Sequence, residues 1–421
     1  MGRGRNTGSR TQVVSRDPQR AAVEIAKRKI CGGPKAPFFK KPYLDAAFNG
    51  DLFLWDTCMV AAWAKHAPSL PIRPALDNFY RVQRASGFIC RQISPEGADI
   101  WDPAHPISVN PPLLAWAEME LQQTCPDLQR LRRVYPSLFR FHRFLESTYR
   151  CEDGLFFSDA HGSGMDNISR SPRGWKPDGL GLGIPFQKCH PSARGFARAV
   201  SNSRDLEYSP LWNRQGRSVD FSAQMAFDAR RLSEIAALIG KMVESAAWVR
   251  EADEINAAIN RHCWNPRTGF YCDLGFGKKL PRRHIGMFWT LWSGAAADRS
   301  MIRPLARSLR DPAAFGRPVP VPSLPADDPD YCTWGNYWRG GVWAPTTYMV
   351  LRGLREVCEE NLAASLAAKV VGVVDRVFEA TGTFWENYSP EFPAYGLPAR
   401  PDFCGWTALI PIAVRREFSV P

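Results

Sequence analysis

No uninterrupted apolar run in this sequence approaches the length that spans a bilayer, so no membrane role is expected. Its 11 cysteines include no CxxC pair, which argues against the common zinc and thioredoxin-like arrangements. They are odd in number and irregularly spaced. Cys58, Cys90 and Cys404 sit inside apolar stretches, where a free thiol packs as a small hydrophobe. That usage fits a reducing compartment and reads as cytoplasmic, as does the start MGRGRNTGSRTQ, which has no apolar core of a secretory leader. Histidine is scarce, with seven in the chain. The acidic stretch Asp327-Asp328-Pro329-Asp330 could hold calcium but lacks EF-hand spacing and reads as a solvated loop; no metal or organic cofactor is expected. The formal charge of +12 comes with no nucleic-acid-binding motif. Its basic residues are scattered over segments such as Arg130 to Arg133, Arg282 to His284 and the N-terminal tail, the pattern of a solvated basic surface.

What is abundant is aromatic side chain: 15 Trp, 24 Phe and 11 Tyr. Many stand beside polar groups, as in Trp55-Asp56 and Tyr337-Trp338-Arg339. Rings next to carboxylates and amides suit a ligand with flat C–H faces and hydroxyls, and a small carbohydrate is one. Helical periodicity recurs from Pro18 onward, in LFLWDTCMVAAWAKH, VDFSAQMAFDARRLSEIAALIG, NLAASLAAKVVGVVDRVFEA and others, with weaker segments near Ile285 and Met301. About a dozen helices result, with Pro18 and Pro111 as start signals. Gly87, Gly154, Gly269 and Gly382 each follow a helix and open a short extended run, at intervals of 67, 115 and 113 residues. Those intervals are one or two multiples of roughly sixty residues, the length of a long helical hairpin. The pattern predicts an all-α fold, an (α/α)6 toroid of six helical hairpins, with long loops and short β-hairpins capping one end. Residues 1–17 read as a disordered basic tail and 18–421 as a single barrel domain. The long connections Asn167 to Arg217 and Pro312 to Gly341 carry Trp175, Trp212, Tyr331 and Trp334 and would wall off the cavity. Oligomeric state is not readable.

Four segments can carry chemistry. The first is Asp51 to Thr57, where Asp56 could accept hydrogen bonds from sugar hydroxyls under Trp55, or an Asp or Thr could cap the helix. The second, HGSGMDNISRSPR (His161 to Arg173), presents Asp166 on a Gly-bordered loop, which could equally be an Asx-turn. The third, Trp334 to Trp343, could line a pocket floor or pack as aromatic core. The fourth, Phe384 to Tyr388, sets Glu386 among rings, or is a surface Glu after a Gly turn. Two carboxylates on opposite sides of a bond are the minimum equipment for glycoside hydrolysis.

LFLWDT, ALDNFY with a following GFICR, GMDN, NYWRGGVW, FWENY and GWTALI stand in the same order as in the clan of inverting glycosidases that holds trehalases, processing α-glucosidase I and bacterial mannosylglycerate/glucosylglycerate hydrolases. The chain most resembles the last group, glycoside hydrolase family 63 and its relatives, from about Phe48 to Phe418. The resemblance implies an (α/α)6 barrel with Asp166 as general acid and Glu386 as general base. The enzyme would be an inverting, exo-acting α-glycosidase on a small α-glucoside or α-mannoside. Trp55, Asp56 and Gly164 would hold the sugar, with Tyr337, Trp338 and Trp385 as walls and Arg339 fixing a carboxylate, either the ligand's or a structural one. Asp166 would keep a proton for the leaving oxygen, and Glu386 would stay ionised to polarise a water. The relatives run from GMDN directly into a Ser-Pro-Arg turn, whereas here Ile168-Ser169-Arg170 comes before Ser171-Pro172-Arg173. No residue is therefore carried over on the leaving-group side. A sugar epimerase or isomerase on the same toroid, which needs histidine pairs, and a non-catalytic carbohydrate-binding protein are the alternatives. Trehalase, rhamnosidase or arabinosidase specificity stays open within the glycosidases.

Overall fold

The computed structural model describes residues 15–45, 50–97, 108–158, 162–170, 216–275 and 277–420. The expected basic tail falls mostly outside these residues, as do Trp175, Trp212 and most of the connection from Asn167 to Arg217.

Helices α1 (Pro18–Arg28), α2 (Leu54–Ala64), α3 (Ile72–Val82), α4 (Leu114–Gln122), α5 (Leu128–Tyr149), α6 (Val219–Leu238), α7 (Met242–His262), α8 (Trp289–Ser293), α9 (Arg299–Ser308), α10 (Ala344–Glu356) and α11 (Glu360–Thr381) follow in order. A last helical run, α12, joins a 3-10 turn Thr407–Leu409, a π turn Ile410–Val414 and an α turn Arg415–Glu417. Contacts run α2 to α4, α4 to α6, α6 to α8, α8 to α10, α10 to α12 and α12 back to α2, a closed ring of six. The other six helices among the described residues form the outer layer. This is the (α/α)6 toroid.

Composition decides which helix goes where. Helix α2 is apolar on every side and all eleven of its residues are buried; α8 is buried throughout as well. Outer helices bury one stripe each, Ala21, Ala22, Ile25 and Ala26 in α1, or Ile302, Leu305 and Ala306 in α9. A helix with one apolar stripe covers a core, while one apolar all round must be enclosed. Pro18 opens α1 as expected, with Asp17 capping it; Pro111 lies ahead of α4.

The four turn glycines all adopt left-handed φ, +94° at Gly87, +83° at Gly154, +70° at Gly269 and +72° at Gly382. Each ends an outer helix and returns the chain to the ring. The intervals differ in meaning, however. Gly87 to Gly154 holds one hairpin and Gly269 to Gly382 holds two, while among the described residues Gly154 to Gly269 holds α6 and α7; its extra length lies before α6. The expected short β-hairpins appear as two-residue antiparallel pairings. One of them, Leu52↔Ile93 and Phe53↔Gln92, leads directly into α2.

The two ends of the ring differ in chemistry. At the C-terminal ends of the inner helices, Lys65 Nζ donates to Glu120, Gln123 and Glu417, while Arg352 donates to Glu120, Glu417 and Tyr348. This buried network floors the barrel, roughly 14 Å along α2 from Asp56. Trp55 and Asp56 on α2, Trp343 before α10 and Trp406 before α12 mark the other end.

Several charges that read as solvated surface are in fact enclosed. Arg130 is 4% exposed and donates to Glu118 at 2.7 Å and Asp77 at 2.9 Å. Arg282 grips Asp328 and Asp330, and Arg283 pairs with Asp327, so the acidic stretch is an ion-paired clamp rather than a solvated loop. A buried charge persists only with a partner, and a one-dimensional pattern does not display partners.

His142 on α5 is another such case. It is wholly buried, with Nδ1 2.7 Å from Asp228 and Nε2 2.8 Å from Glu251. Burial alone would lower its pKa, but the two carboxylates outweigh that and push it up to about 9. Burial also raises the Asp228 carboxyl, while Glu251, despite burial, is held below its usual range by His142. With an acceptor on each ring nitrogen, the geometry favours the cation. Its folded pKa lies above the unfolded value, so its contribution is complete below about pH 6.5 and is lost as pH rises through 9. Thermal melts should therefore show a loss on the order of 1–3 kcal/mol between pH 7 and pH 10 that His142→Gln does not show.

Candidate active site

The stretch around Asp166 is pinned at nearly every other residue. Gly164, at φ +79°, lies so close on the Trp55 ring that a Cβ there would sit 2.1 Å from Trp55 Cε3. Its lack of a side chain thus serves a backbone–indole contact; the sequence reading placed that close approach at the sugar. Met165 and Ile168 are buried in the core. Ser169 donates to Asp330 at 2.8 Å. Arg170, 3% exposed, donates to Asp220 and to Asp273, and His284 Nε2 stands 2.9 Å from Asp273. Ser171 to Arg173 lie outside the described residues.

Asn167 joins this stretch to the third segment. Its Nδ2 donates to Asn336 O at 3.0 Å, and Trp338 N–H donates to its Oδ1 at 2.7 Å. Between those contacts Asn336 and Tyr337 hold φ of +37° and +66°, a left-handed conformation unusual for residues with a Cβ. The turn aims Tyr337 Oη at Glu386 Oε1, 3.4 Å away. The third and fourth segments pair through Val342↔Tyr388. Glu386 is fixed on both sides of its backbone, since its N–H donates to Arg400 O at 2.9 Å and Trp406 Nε1 donates to its carbonyl at 3.1 Å.

Electrostatics show which carboxyl groups share a space. Glu386 is 8% exposed; burial first, with Asp166 adding to it, pushes it up to about 7 against the pull of Arg400 and Tyr337. Asp56, 6% exposed in the first turn of α2, is also pushed up to about 7, first by burial and then by Asp166 and Glu386, against the pull of Arg91. Burial and the nearby charges of Glu386, Asp166 and Asp56 together raise the Tyr337 hydroxyl as well. Three carboxyl groups and one phenol thus act on one another. The Glu386 carboxyl is thus enclosed beside a second acid.

The expected residues do not all converge. Asp56, Asp166, Tyr337 and Glu386 do. Trp55 stands at the base of the same group, and its Nε1 is buried without a partner among the described residues. Trp338 is 1% exposed and stacked on Trp343 at 4.0 Å, so it backs the wall without forming its face. The left-handed turn is the cause: it sets the Tyr337 and Trp338 rings 83° apart. Trp385 stacks on Tyr395 at 3.7 Å and donates to Thr381 at the end of α11. Its ring is thus engaged with Tyr395 and the end of α11, although Glu386 follows it directly in the chain. Arg339 lies by Asp330 and helps hold that carboxyl low despite its burial, matching the structural alternative. The sequence reading missed Asn167, Arg91 and Arg400; Arg91 was signalled by its place at the end of GFICR.

Residues 42–397 match the family model of the mannosylglycerate hydrolase MGH1-like glycoside hydrolase domain. A mannosylglycerate hydrolase of Thermus thermophilus is 27% identical over 421 residues, covering 88% of this chain and 94% of that protein. A Borreliella burgdorferi protein without assigned function is 24% identical over 329 residues; the match covers 76% of this chain but only 60% of that protein. The crystal structure of a Thermus thermophilus GH63 mannosylglycerate hydrolase in complex with glucose superposes with a TM-score of 0.69 at 21% identity, covering 94% of this chain and 99% of that one. With a toroid closed by six inner helices and a family match over most of its length, this chain belongs to the mannosylglycerate hydrolase MGH1-like glycoside hydrolase family.

Proposed function

We propose that the chain is an inverting, exo-acting α-glycosidase for a small α-glucoside or α-mannoside, with Asp166 as general acid and Glu386 as general base. A single unit over residues 18–421, working in the cytoplasm, would carry the activity. The mutual influence of Asp166 and Glu386 across one enclosed site is the observation that supports this reading most. In the reaction Asp166 gives its proton to the glycosidic oxygen as the C–O bond breaks, and Glu386 takes one from a water attacking the opposite face of the sugar. Tyr337 and Arg400 favour the ionised Glu386 that this requires. Asp56 accepts hydrogen bonds from sugar hydroxyls, and the Trp55 indole N–H offers a donor beside it. The histidine pair an epimerase needs finds no support in His142 and His284, which are engaged with Asp228, Glu251 and Asp273.

The relatives named mannosylglycerate hydrolase make glycerate glycosides the first substrates to try. Purified protein should be assayed for monosaccharide release from glucosylglycerate, mannosylglycerate, trehalose, kojibiose and aryl α-glycosides. At least one should turn over, with kcat/KM falling below about pH 7 as the coupled Glu386 and Asp56 carboxyls take up protons. Turnover of none, or an acidic limb near pH 4, would count against this proposal.

A further inference from the structure

We propose that Asn167 is a positioning residue that sets the general base against the general acid, by clamping the left-handed Asn336–Tyr337 turn so that Tyr337 reaches Glu386. The inference rests on the acid and base roles given above and adds the part that spaces them. Asn167 is 6% exposed, and its carboxamide uses both ends: the donor goes to Asn336 O and the acceptor takes Trp338 N–H. That is the bonding a neighbouring strand would offer to the residues flanking Tyr337, supplied by one planar group.

A left-handed Asn-Tyr pair is strained backbone for residues with a Cβ, so surrounding contacts must enforce it. The turn is also held by Arg339 N–H and Gly341 N–H donating to Gly335 O and by Trp343 Nε1 donating to Tyr337 O at 3.1 Å, while Asn167 fixes the residues on both sides of Tyr337. Asn167 follows Asp166 directly in the chain. The clamp therefore ties the acid's own backbone to the residue that donates to the base, across 169 residues of sequence.

Only asparagine meets both demands at this reach. Asn167→Asp keeps the acceptor and sets a carboxylate against Asn336 O; Asn167→Leu loses both bonds at similar volume. Crystal structures of wild type and both variants give the first test, which needs no substrate. Tyr337 Oη should move out of hydrogen-bond reach of Glu386 in each variant. A Tyr337 that stays in place overturns the proposal, whatever the activity. If Asn167→Leu does not fold, Asn167→Asp alone decides.

Kinetics on whichever glycoside the screen identifies give the second test. Asn167→Asp should lower kcat by about 10- to 100-fold with KM changed less than about threefold. Its acidic limb should move to higher pH, because Tyr337 lowers Glu386; the other charged groups acting on Glu386 are Arg400, Asp166, Asp56 and Lys29. Tyr337→Phe should shift the limb in the same direction, and adding Asn167→Asp to it should change kcat little further. Fully additive losses in the double variant, or an unmoved limb, would show that Asn167 does not work through Tyr337. Failure of the substrate screen would remove the glycosidase reading and leave the crystallographic test standing.

Discussion

Asp166→Asn and Glu386→Gln should each lower turnover by about 10²–10⁴-fold while the protein stays folded. The reason is positional as much as chemical. Asp166 lies on a stretch fixed by Gly164 against Trp55, Asn167 against the Tyr337 turn, and Arg170 inside a buried ion cluster. An amide fits the same space but has no proton to give or take at the right moment. Glu386→Gln carries a second expectation that separates it from ordinary damage. Its carboxyl has a folded pKa raised to about 7 from an ordinary 4.5. The native state therefore holds a proton that the unfolded chain releases between about pH 4.5 and 7, and stability falls as pH rises through that window. Glutamine escapes this loss, so at pH 8 the variant should be more stable than wild type by an amount on the order of 1–3 kcal/mol, with the difference shrinking toward pH 4.5. Urea melts at the two pH values check this. A variant that is inactive and equally stable at both pH values would not fit a buried, mutually repelling base.

Arg170→Met should destabilise the protein by about 3–5 kcal/mol, the usual cost of removing one partner from a buried ion pair. Asp220 and Asp273 are 0% and 1% exposed, and the Arg170 guanidinium, against their burial, holds both below the usual carboxylate range. Asp273 also accepts from Val219 N–H at the start of α6 and from His284. Removing the arginine leaves two enclosed carboxylates with one imidazole between them, and it frees the end of the stretch that carries Asp166. Chemical denaturation reads the first effect. Arg170→Lys should recover part of the stability, since an ammonium supplies the charge but not the planar fork. A loss below about 1 kcal/mol for Arg170→Met would mean the cluster is not what anchors this stretch.

The fold was legible because each layer of the ring has its own periodicity. LFLWDTCMVAAWAKH is too apolar for any surface, while α1 and α9 show one stripe each, and both became what their patterns implied. The turn glycines were legible for a local reason too: a left-handed residue at a helix end favours glycine. The site was legible only in part. Asp166 and Glu386 came from ordered motifs, but Trp338 and Trp385 were placed with them by sequence adjacency. A left-handed turn sets the Trp338 ring away from Tyr337, and Trp385 is taken up by stacking on Tyr395. Asn167 was invisible because its bonds span 169 and 171 residues. Arg130 and the Arg282 clamp read as loose charges for the same reason, and the Arg170 cluster was not read at all. Asp220 and Asp228 inside the almost wholly buried α6 were the signal available, since a charge in such a helix requires a partner.

The most direct test of the central claim, an acid and a base on opposite sides of one sugar, is the configuration of the first sugar released. Proton NMR during rapid hydrolysis of an α-glycoside by the wild-type protein should show the β-anomer appearing first, with the α-anomer growing in only by mutarotation. Inversion requires room for a water between Glu386 and the sugar, with carboxyl groups roughly 6.5–9.5 Å apart. An α-anomer released first would mean that one carboxylate attacks the sugar itself, and would contradict the roles assigned to Asp166 and Glu386.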